Sequence, residues 1–320
     1  MRLEPSLSEA LESALCRGAF FAETHAIKGL LALERLRHME GFDVARLTEM
    51  TRWNQLLRTP AIEGLLSEQV SWPSEELDEQ RLRALIEGAV FPMAYLAGVE
   101  WVRRSGYEHL VESFRELALA RIGYLGHSWT IWCSFLEIAP YLDDERHRWL
   151  AAERFVEFAA SQLSTPDWTP AYDIAFGLES GAPPESDVVT AVLSRPGFYG
   201  HRLIALSYLY KYRETLTAAQ WDHGLKRTLD STRETGSPAH DIQIPAPAAA
   251  TDLDDRARDE AVLRYLQEGA EEVHTLTLAD AARELWCHLG DDHRGHLLEA
   301  LRVYGGWKIA RTASGERKKA

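Results

Sequence analysis

Apolar residues recur at helical spacing along nearly the whole chain. Clear instances are Ile27, Leu30, Leu31 and Leu33, followed by Phe114, Leu117, Leu119 and Ile122. This spacing marks one face of an α-helix, whereas the strict alternation typical of a half-buried strand is scarce. Thr217 and Gln220 fit a capping box, in which two side chains satisfy backbone N–H groups at a helix start. The pattern predicts an all-α protein, a large bundle of about ten or more helices.

The breaks in the helical pattern indicate how the chain is divided. The length of 320 residues suits one large helical domain spanning 1–320. A sub-boundary, if the domain divides, is expected near 180–186, where the sequence reads SGAPPES. The longest stretch without helical periodicity is 230–255, which predicts an irregular loop. That loop is either a disordered linker or an ordered cover over a site.

The charge balance argues against one class of partner. The formal net charge is −14 at pH 7, and the one basic cluster is Arg317, Lys318 and Lys319. Nucleic-acid binding needs clustered Lys and Arg side chains, because neutralising phosphates releases counterions. We therefore predict no nucleic-acid partner. The sequence does not indicate an oligomeric state.

The cysteines and the N-terminal segment bear on the compartment. Cys16, Cys133 and Cys287 lie far apart and include no CxxC pair, so neither a disulfide framework nor a zinc knuckle is expected. The N-terminal segment carries acidic residues where a signal peptide would carry basic and then apolar ones. The least charged stretch, 122–142, is more typical of a buried helix than of a membrane span. We expect a cytoplasmic protein without a membrane segment.

A histidine stands at the head of an apolar helical segment four times. The segments are FFAETHAIKGLLAL, IGYLGHSWTIWCSFL, GFYGHRLIALSYL and GAEEVHTLTLADAARELW, with the histidines His25, His127, His201 and His274. In each segment an aromatic residue or a glycine lies within the five residues before the histidine. The last three are spaced at nearly equal intervals, which indicates a possible internal duplication.

These four histidines are the candidate metal ligands. Neutral imidazole presents a nitrogen lone pair, and helices packed side by side can direct several rings at one point. Sites rich in imidazole favour iron, copper, nickel or zinc. The alternative for each histidine is a core or capping residue with one satisfied hydrogen bond. Because four occur in the same setting, we predict that they share a metal ion.

Aromatic residues are dense around the histidine segments. Most aromatic side chains in a helical protein belong to the core, but those that face a metal would form an apolar pocket for a flat aromatic substrate. The candidates for this pocket are Phe21, Tyr124, Trp129, Trp132 and Tyr199.

Other chemical motifs are absent or have a structural explanation. The patterns GxGxxG, GxxxxGK[ST] and GxSxG do not occur, so a standard nucleotide loop or a nucleophile elbow is not expected. The acidic pairs at 143–144 and 254–255 are predicted to be solvated helix starts. The histidines of 288–296 are predicted to lie in an exposed turn.

Four segments of the chain are similar to elements of one enzyme family. His25 with Leu30, Ala32 and Leu33 matches an opening histidine followed by small and apolar residues. The stretch FPMAYLAGVEWVRRSGYEHLVESFRELALARIGYLGH is similar to the approach to the second histidine, and GFYGHRLIALSYL to the third. EEVHTLTLADAARELW is similar to a late acidic-His-x-x-Lys element. On these segments, which are distributed along most of the chain, the protein resembles the questin oxidase-like family of aromatic polyketide tailoring.

The resemblance implies an activity and a set of ligands. Members of the family oxidise or cleave anthraquinone-type rings with molecular oxygen, using non-haem iron held by several histidines and a carboxylated lysine. It therefore implies an Fe(II)-dependent oxygenase of secondary metabolism, with His25, His127, His201 and His274 as ligands. The substrates would be a small aromatic molecule and O2, with NADPH as a possible reductant.

One position departs from the family pattern. Thr277 stands where the family's His-x-x-Lys places the lysine, and threonine cannot be carboxylated. A His-x-x-Lys does occur at His25 and Lys28, one helical turn apart, so Lys28 is a candidate substitute ligand. A site of four histidines without lysine is the other expectation. Two further functions stay open: a metal-free cyclase or isomerase with a histidine as general base, and a non-catalytic helical scaffold or ligand-binding protein.

Overall fold

The structure is a computed structural model, and it describes ten ranges of the chain. These are 5–16, 25–42, 62, 64–71, 77–123, 125–164, 183–233, 242–245, 253–268 and 273–313. Within these ranges there are fourteen α-helices and no strand, so the predicted all-α bundle is confirmed. The helices are α1 (Pro5–Leu15), α2 (His25–Leu36), α3 (Glu79–Glu87), α4 (Met93–Ser105), α5 (Tyr107–Glu112), α6 (Arg115–Ala120), α7 (His127–Glu137), α8 (Glu145–Phe158), α9 (Glu185–Ser194), α10 (His201–Lys211), α11 (Ala218–Ser231), α12 (Asp255–Glu268), α13 (Val273–Trp286) and α14 (Asp291–Ala313).

The helices form two compact units. The first unit comprises 1–31, 51–121 and 127–173, and the second comprises 32–50, 122–126 and 174–320. The first therefore holds α1, the first part of α2, and α3 to α8. The second holds the rest of α2 and α9 to α14.

Some of the segments predicted to be irregular lie outside the described residues. This applies to 180–182, to 234–241 and to 246–252. The predicted loop 230–255 is too long at both ends, because 230–231 belong to α11 and Asp255 begins α12. Its described central part, 242–245, has no regular secondary structure. Ile244 in this part is buried, and its N–H donates to the carbonyl of Ser194 at 2.9 Å.

The core of the first unit is built from aromatic side chains and close helix contacts. The ring of Phe135 on α7 packs against Phe155 and Phe158 on α8, with centroids 5.4 and 5.6 Å apart. Helix α4 packs on α8 at Gly98, where an added Cβ would lie 2.5 Å from Cγ2 of Val156. A side chain at this position would force the two helices apart, so the contact requires glycine.

A buried polar network lies in the same unit. Arg154 donates from Nη2 to Glu157 at 2.9 Å and to Glu153 at 3.4 Å, and all three side chains are almost fully buried. Tyr95 donates from its hydroxyl to Glu157 at 2.9 Å. Glu153 also accepts the backbone N–H of Ser67 at 2.8 Å. Each buried charge therefore has charged or dipolar partners, as its removal from water requires.

The centre of the second unit is α10. Every residue of this helix from His201 to Tyr210 is buried, which is the signature of a core helix surrounded by others. It packs along α13 and α11. The helix α11 starts at the predicted capping box, with Thr217 and Gln220 each accepting the other's backbone N–H. That sequence prediction is confirmed.

The predictions for the acidic pairs and for the late histidines have different outcomes. Asp144 and Asp254 accept the N–H groups of His147 and Ala257 at 2.7 and 2.8 Å, so both cap helix starts as expected. The exposed turn predicted around the late histidines is wrong for His293, which lies in the first turn of α14, and for His296. His296 lies on α14, is buried, and donates from Nε2 to the carbonyl of Ile244 at 3.2 Å. The acidic neighbours belong to the first turn of α14, where negative charge is favourable.

Within the described ranges, no helix combines the length and the apolar character that crossing a bilayer demands.

Candidate metal centre

Each of the four candidate histidines lies at the start of a helix. Helices α2, α7 and α10 begin at His25, His127 and His201, and α13 begins one residue before His274. The predicted histidine-headed helices are therefore confirmed. In the first turn of a helix the backbone does not enclose the side chain from the N-terminal side, so each ring is able to project beyond the helix end.

His25 and His127 form a close pair. Their Nε2 atoms are 3.2 Å apart, and the ring planes meet edge to face at 85°. Without a metal ion, a nitrogen pair at this distance shares one proton in a hydrogen bond. With an ion, both lone pairs could be directed at it.

His201 and His274 form a second pair. Their ring centroids are 4.7 Å apart, and the planes are inclined at 52°. The ring of His201 is buried, whereas His274 is half-buried. They are brought together by the packing of α10 along α13.

One ring nitrogen from each of the four histidines lies within 4.8 Å of the other three. Two nitrogens bound to one ion at about 2.1 Å are separated by roughly 3.4 Å in a tetrahedron and by at most about 4.2 Å in any geometry. The 3.2 Å between His25 and His127 matches cis or tetrahedral coordination, and the upper limit of 4.8 Å is within about an ångström of the requirement. The four residues therefore form a histidine cluster able to bind a metal ion. Among the described residues, no carboxylate or thiol belongs to it.

The hydrogen bonding of His201 determines which of its nitrogens is available. Nδ1 lies against the backbone carbonyl of Phe198, and a carbonyl can only accept, so Nδ1 carries the proton. Nε2 of His201 then holds the lone pair. A backbone carbonyl in this role is the usual way in which a ligating imidazole is oriented.

Two positions bear on the lysine of the family pattern: Thr277, which stands where the pattern places it, and Lys28, which is the candidate substitute. Thr277 is buried one turn after His274, and its hydroxyl donates to the His274 carbonyl at 3.3 Å. This side chain closes a local hydrogen bond within α13.

Lys28 is fully buried on α2, one turn after His25. Its Nζ has no hydrogen-bond partner among the described residues. Burial lowers the pKa of Lys28 from 10.5 to about 7, because an ammonium ion away from water is unfavourable. A neutral amine offers a lone pair, so Lys28 has the chemical form that a metal ligand needs.

The predicted pocket aromatics occupy different positions. Tyr199 stacks on the ring of His274, with centroids 5.0 Å apart and planes within 11° of parallel. Trp129 and Trp132 are fully buried and stack on each other at 5.0 Å, and the N–H of Trp132 donates to the carbonyl of Val111. A role for the two tryptophans in a substrate pocket stays a prediction. Phe21 and Tyr124 lie outside the described residues.

Two features of the second unit were not found from the sequence. One is the turn formed by 197–200, which places residues against both His201 and His274. Its signal in the sequence was the pair of glycines three residues apart. The other is the ion pair between Arg35 and Asp280, which joins α2 to α13. No local pattern indicates a contact between residues so far apart in the chain.

A surface cleft of about 350 Å³ lies in the first unit and involves none of the predicted site residues. The guanidinium of Arg103 stacks over the ring of Trp149 at 4.5 Å on one wall, and Arg148, Glu108 and Glu145 add charges of both signs. Balanced charges of this kind favour no particular ligand class.

Comparison with known proteins found no match among family models, curated proteins or solved structures. The class that the fold and the site define is therefore an all-α protein with a histidine cluster able to bind a metal ion.

Proposed function

We propose that this protein is a non-haem iron oxygenase that acts on a small aromatic molecule of the polyketide type. The observation that carries the proposal is the convergence of four ring nitrogens within 4.8 Å. Bringing four imidazoles together without a ligand is unfavourable when any two of them are protonated, and a shared cation turns the same arrangement into a binding site.

The choice of iron rests on two arguments. A set of neutral imidazoles suits iron, copper, nickel or zinc and disfavours magnesium and calcium, which prefer oxygen ligands. Within that group, iron is favoured by the resemblance of the histidine segments to the questin oxidase-like family. When bound, ferrous iron would supply the redox chemistry that O2 needs to react with an organic ring.

The residues of the chain have separate tasks in this proposal. His25, His127, His201 and His274 hold the ion, and the Phe198 carbonyl keeps the lone pair of His201 on Nε2. Lys28 is a candidate fifth ligand through its buried amine. Tyr199 stacks on His274, which places an aromatic ring beside the proposed ion.

The proposal is tested by measuring metal content. Protein produced with added iron and purified without oxygen should contain about one iron per chain by elemental analysis. The substitutions His127→Ala and His201→Gln should each weaken binding by more than about 100-fold, since losing an outer hydrogen-bond partner alone costs 10- to 100-fold. The exposed His38 is the matched control, and His38→Ala should keep the full iron content.

Absence of any stoichiometric transition metal from the wild-type protein would overturn the proposal. If all three variants contained iron at the wild-type level, the assignment of His127 and His201 as ligands would be overturned. Circular dichroism of each variant establishes that the fold is retained.

Oxygen consumption distinguishes the types of oxygenase. A hydroxylated anthraquinone is the probe, added to the iron-loaded protein in an oxygen electrode cell. A monooxygenase needs two electrons from a reductant for each O2, whereas a dioxygenase transfers both oxygen atoms to the substrate and needs none. The ratio of NADPH oxidised to O2 consumed should therefore be one for a monooxygenase and zero for a dioxygenase.

A metal-free cyclase or isomerase is the second candidate, and the His25–His127 pair favours it. Two imidazoles at 3.2 Å can pass a proton between them, which is the task of a general base and its acid partner. This function would persist in protein treated with a chelator, whereas the oxygenase activity would be lost.

A further inference from the structure

The segment that precedes His201 has an unusual backbone. Gly197, Tyr199 and Gly200 have positive φ angles of 75°, 50° and 77°. Glycine adopts such angles freely, but an aromatic residue does so at a cost in free energy. Strain of this kind persists only where surrounding contacts maintain it, and it is concentrated at functional sites. Tyr199 is therefore the residue of this turn that requires an explanation.

The strained backbone directs two aromatic rings at two histidines. The ring of Phe198 lies nearly parallel to that of His201, at 5.9 Å and 7°. The ring of Tyr199 lies nearly parallel to that of His274, at 5.0 Å and 11°. The carbonyl of Phe198 accepts the Nδ1 proton of His201. Phe198 and Tyr199 thus contact the histidines at the starts of α10 and α13.

Contacts on the other side hold the turn in place. The hydroxyl of Tyr304 on α14 donates to the carbonyl of Gly197. The N–H of Gly200 donates to the same carbonyl at 3.1 Å. Gly200 also packs so closely on α13 that an added Cβ would lie 2.7 Å from Leu278. These contacts maintain the left-handed conformation at Tyr199.

We propose that Tyr199 is a positioning residue, whose stacked ring sets the plane of the His274 imidazole so that its nitrogen faces the metal. The inference rests on the proposed metal-binding function. Tyr199 acts through His274 and does not touch the ion. The Phe198 carbonyl performs the corresponding task for His201 by fixing the tautomer. The stacked ring carries this effect, so a phenylalanine ring at the same position should serve as well.

Cobalt(II) titration of the metal-free protein tests this assignment. Tyr199→Phe keeps the ring and should bind cobalt with wild-type affinity. Tyr199→Asn tolerates the left-handed backbone but lacks the ring, and it should bind about 10- to 100-fold more weakly, with an altered visible absorption spectrum. Tyr199→Gly removes both the ring and the strain. It should show the same loss of affinity.

The melting temperature separates positioning from a structural role. A merely structural Tyr199 would lower the melting temperature in the ringless variants while the folded protein kept its cobalt affinity and spectrum. That result would overturn the inference and leave the metal centre intact. Equal affinity of Tyr199→Phe and Tyr199→Asn would overturn it as well.

Nitrogen-15 NMR of the histidine rings tests the inference without metal, and so separates its failure from failure of the proposed function. In the metal-free wild-type protein, His274 should give one slowly exchanging ring signal, which Tyr199→Asn should broaden or split. His201 should show the Nδ1–H tautomer in both proteins. An identical His274 signal in the two proteins would contradict the positioning role, even if the wild type proved to bind no metal.

Discussion

Arg35 on α2 and Asp280 on α13 are joined by an ion pair in which two guanidinium nitrogens donate to the carboxylate. Nε of Arg35 donates to both carboxylate oxygens at 2.9 Å, Nη2 donates to Oδ2 at 2.5 Å, and the side chains are 28% and 15% exposed. A fork of this geometry, partly removed from water, is stronger than an ordinary surface pair. We expect Arg35→Met to lower the free energy of unfolding by about 1 kcal/mol, measured by urea denaturation.

A double-mutant cycle with Asp280→Asn isolates the pair, since the coupling energy should account for most of the loss. The more exposed pair of Arg302 and Glu299 within α14 is the control. Arg302→Met should change stability by less than about 0.5 kcal/mol. Equal effects at Arg35 and Arg302 would contradict the special strength of the first pair.

Lys28 should make the stability of the metal-free protein depend on pH. The folded protein releases the Lys28 proton near pH 7, because its pKa is about 7, whereas the unfolded chain retains it up to its ordinary value of 10.5. Between these values the unfolded state binds more protons, so the free energy of unfolding rises with pH, by up to about 1.4 kcal/mol per unit. Below pH 7 the penalty of the buried ammonium is fully present.

The substitution Lys28→Met should therefore stabilise the metal-free protein by a few kcal/mol at pH 7, and it should remove this rise between pH 7 and 10. Chemical denaturation across that range is the measurement. Lys211→Met, at an exposed position, should leave the pH dependence unchanged. If the two variants had the same pH profile, the buried neutral amine would be disproved.

Three glycines allow the cost of backbone strain to be separated from the cost of steric overlap. Gly200 and Gly64 have nearly equal φ angles of 77° and 76°, but of the two only Gly200 has described residues within 4 Å of where a Cβ would lie. We expect Gly64→Ala to cost about 1 kcal/mol from strain alone. Gly200→Ala adds overlap with the buried Leu278 and should cost about 2 to 4 kcal/mol. Gly290 has no positive φ angle and no described neighbour within 4 Å of a Cβ, so Gly290→Ala should leave the stability nearly unchanged. Thermal denaturation of the three variants gives the comparison.

The buried network around Arg154 predicts an unequal pair of substitutions. Arg154→Met would leave the carboxylates of Glu153 and Glu157 buried without their cation, at a cost of about 3 to 5 kcal/mol. Tyr95→Phe removes one hydrogen bond while Arg154 still neutralises Glu157, and it should cost about 1 to 2 kcal/mol. Urea denaturation of both variants gives the comparison. Equal costs would mean that the charge of Arg154 contributes little.

Much of the fold could be predicted because helix formation depends largely on residues that are close together in the sequence. The recurrence of apolar residues at helical spacing, the capping box at Thr217 and the acidic caps Asp144 and Asp254 each depend on residues within one or two turns. The histidine-headed helices were visible for the same reason. The prediction for His296 was wrong for two reasons. Its burial depends on the distant Ile244, and acidic residues in a first helical turn resemble those of an exposed turn.

The candidate site could be predicted only in part. Four similar histidines could be identified in the sequence. Their convergence could not, because it depends on helix packing, which no local pattern specifies. The pairing of Arg35 with Asp280 spans 245 residues. Lys28 is buried with no hydrogen-bond partner among the described residues, whereas lysine is usually exposed. The stacking of Tyr199 on His274 follows from a backbone conformation that its residue type disfavours.

The turn before His201 also bears on how relatives of this protein could be recognised. Its left-handed φ angles favour glycine at 197 and 200, and its contacts use an aromatic ring at 198 and at 199. Five consecutive residues, Gly-Phe-Tyr-Gly-His, are thus specified by geometry rather than by general hydrophobicity. The same short string at the start of an apolar helix would be a local marker of this arrangement in chains whose overall sequences have diverged beyond detectable similarity.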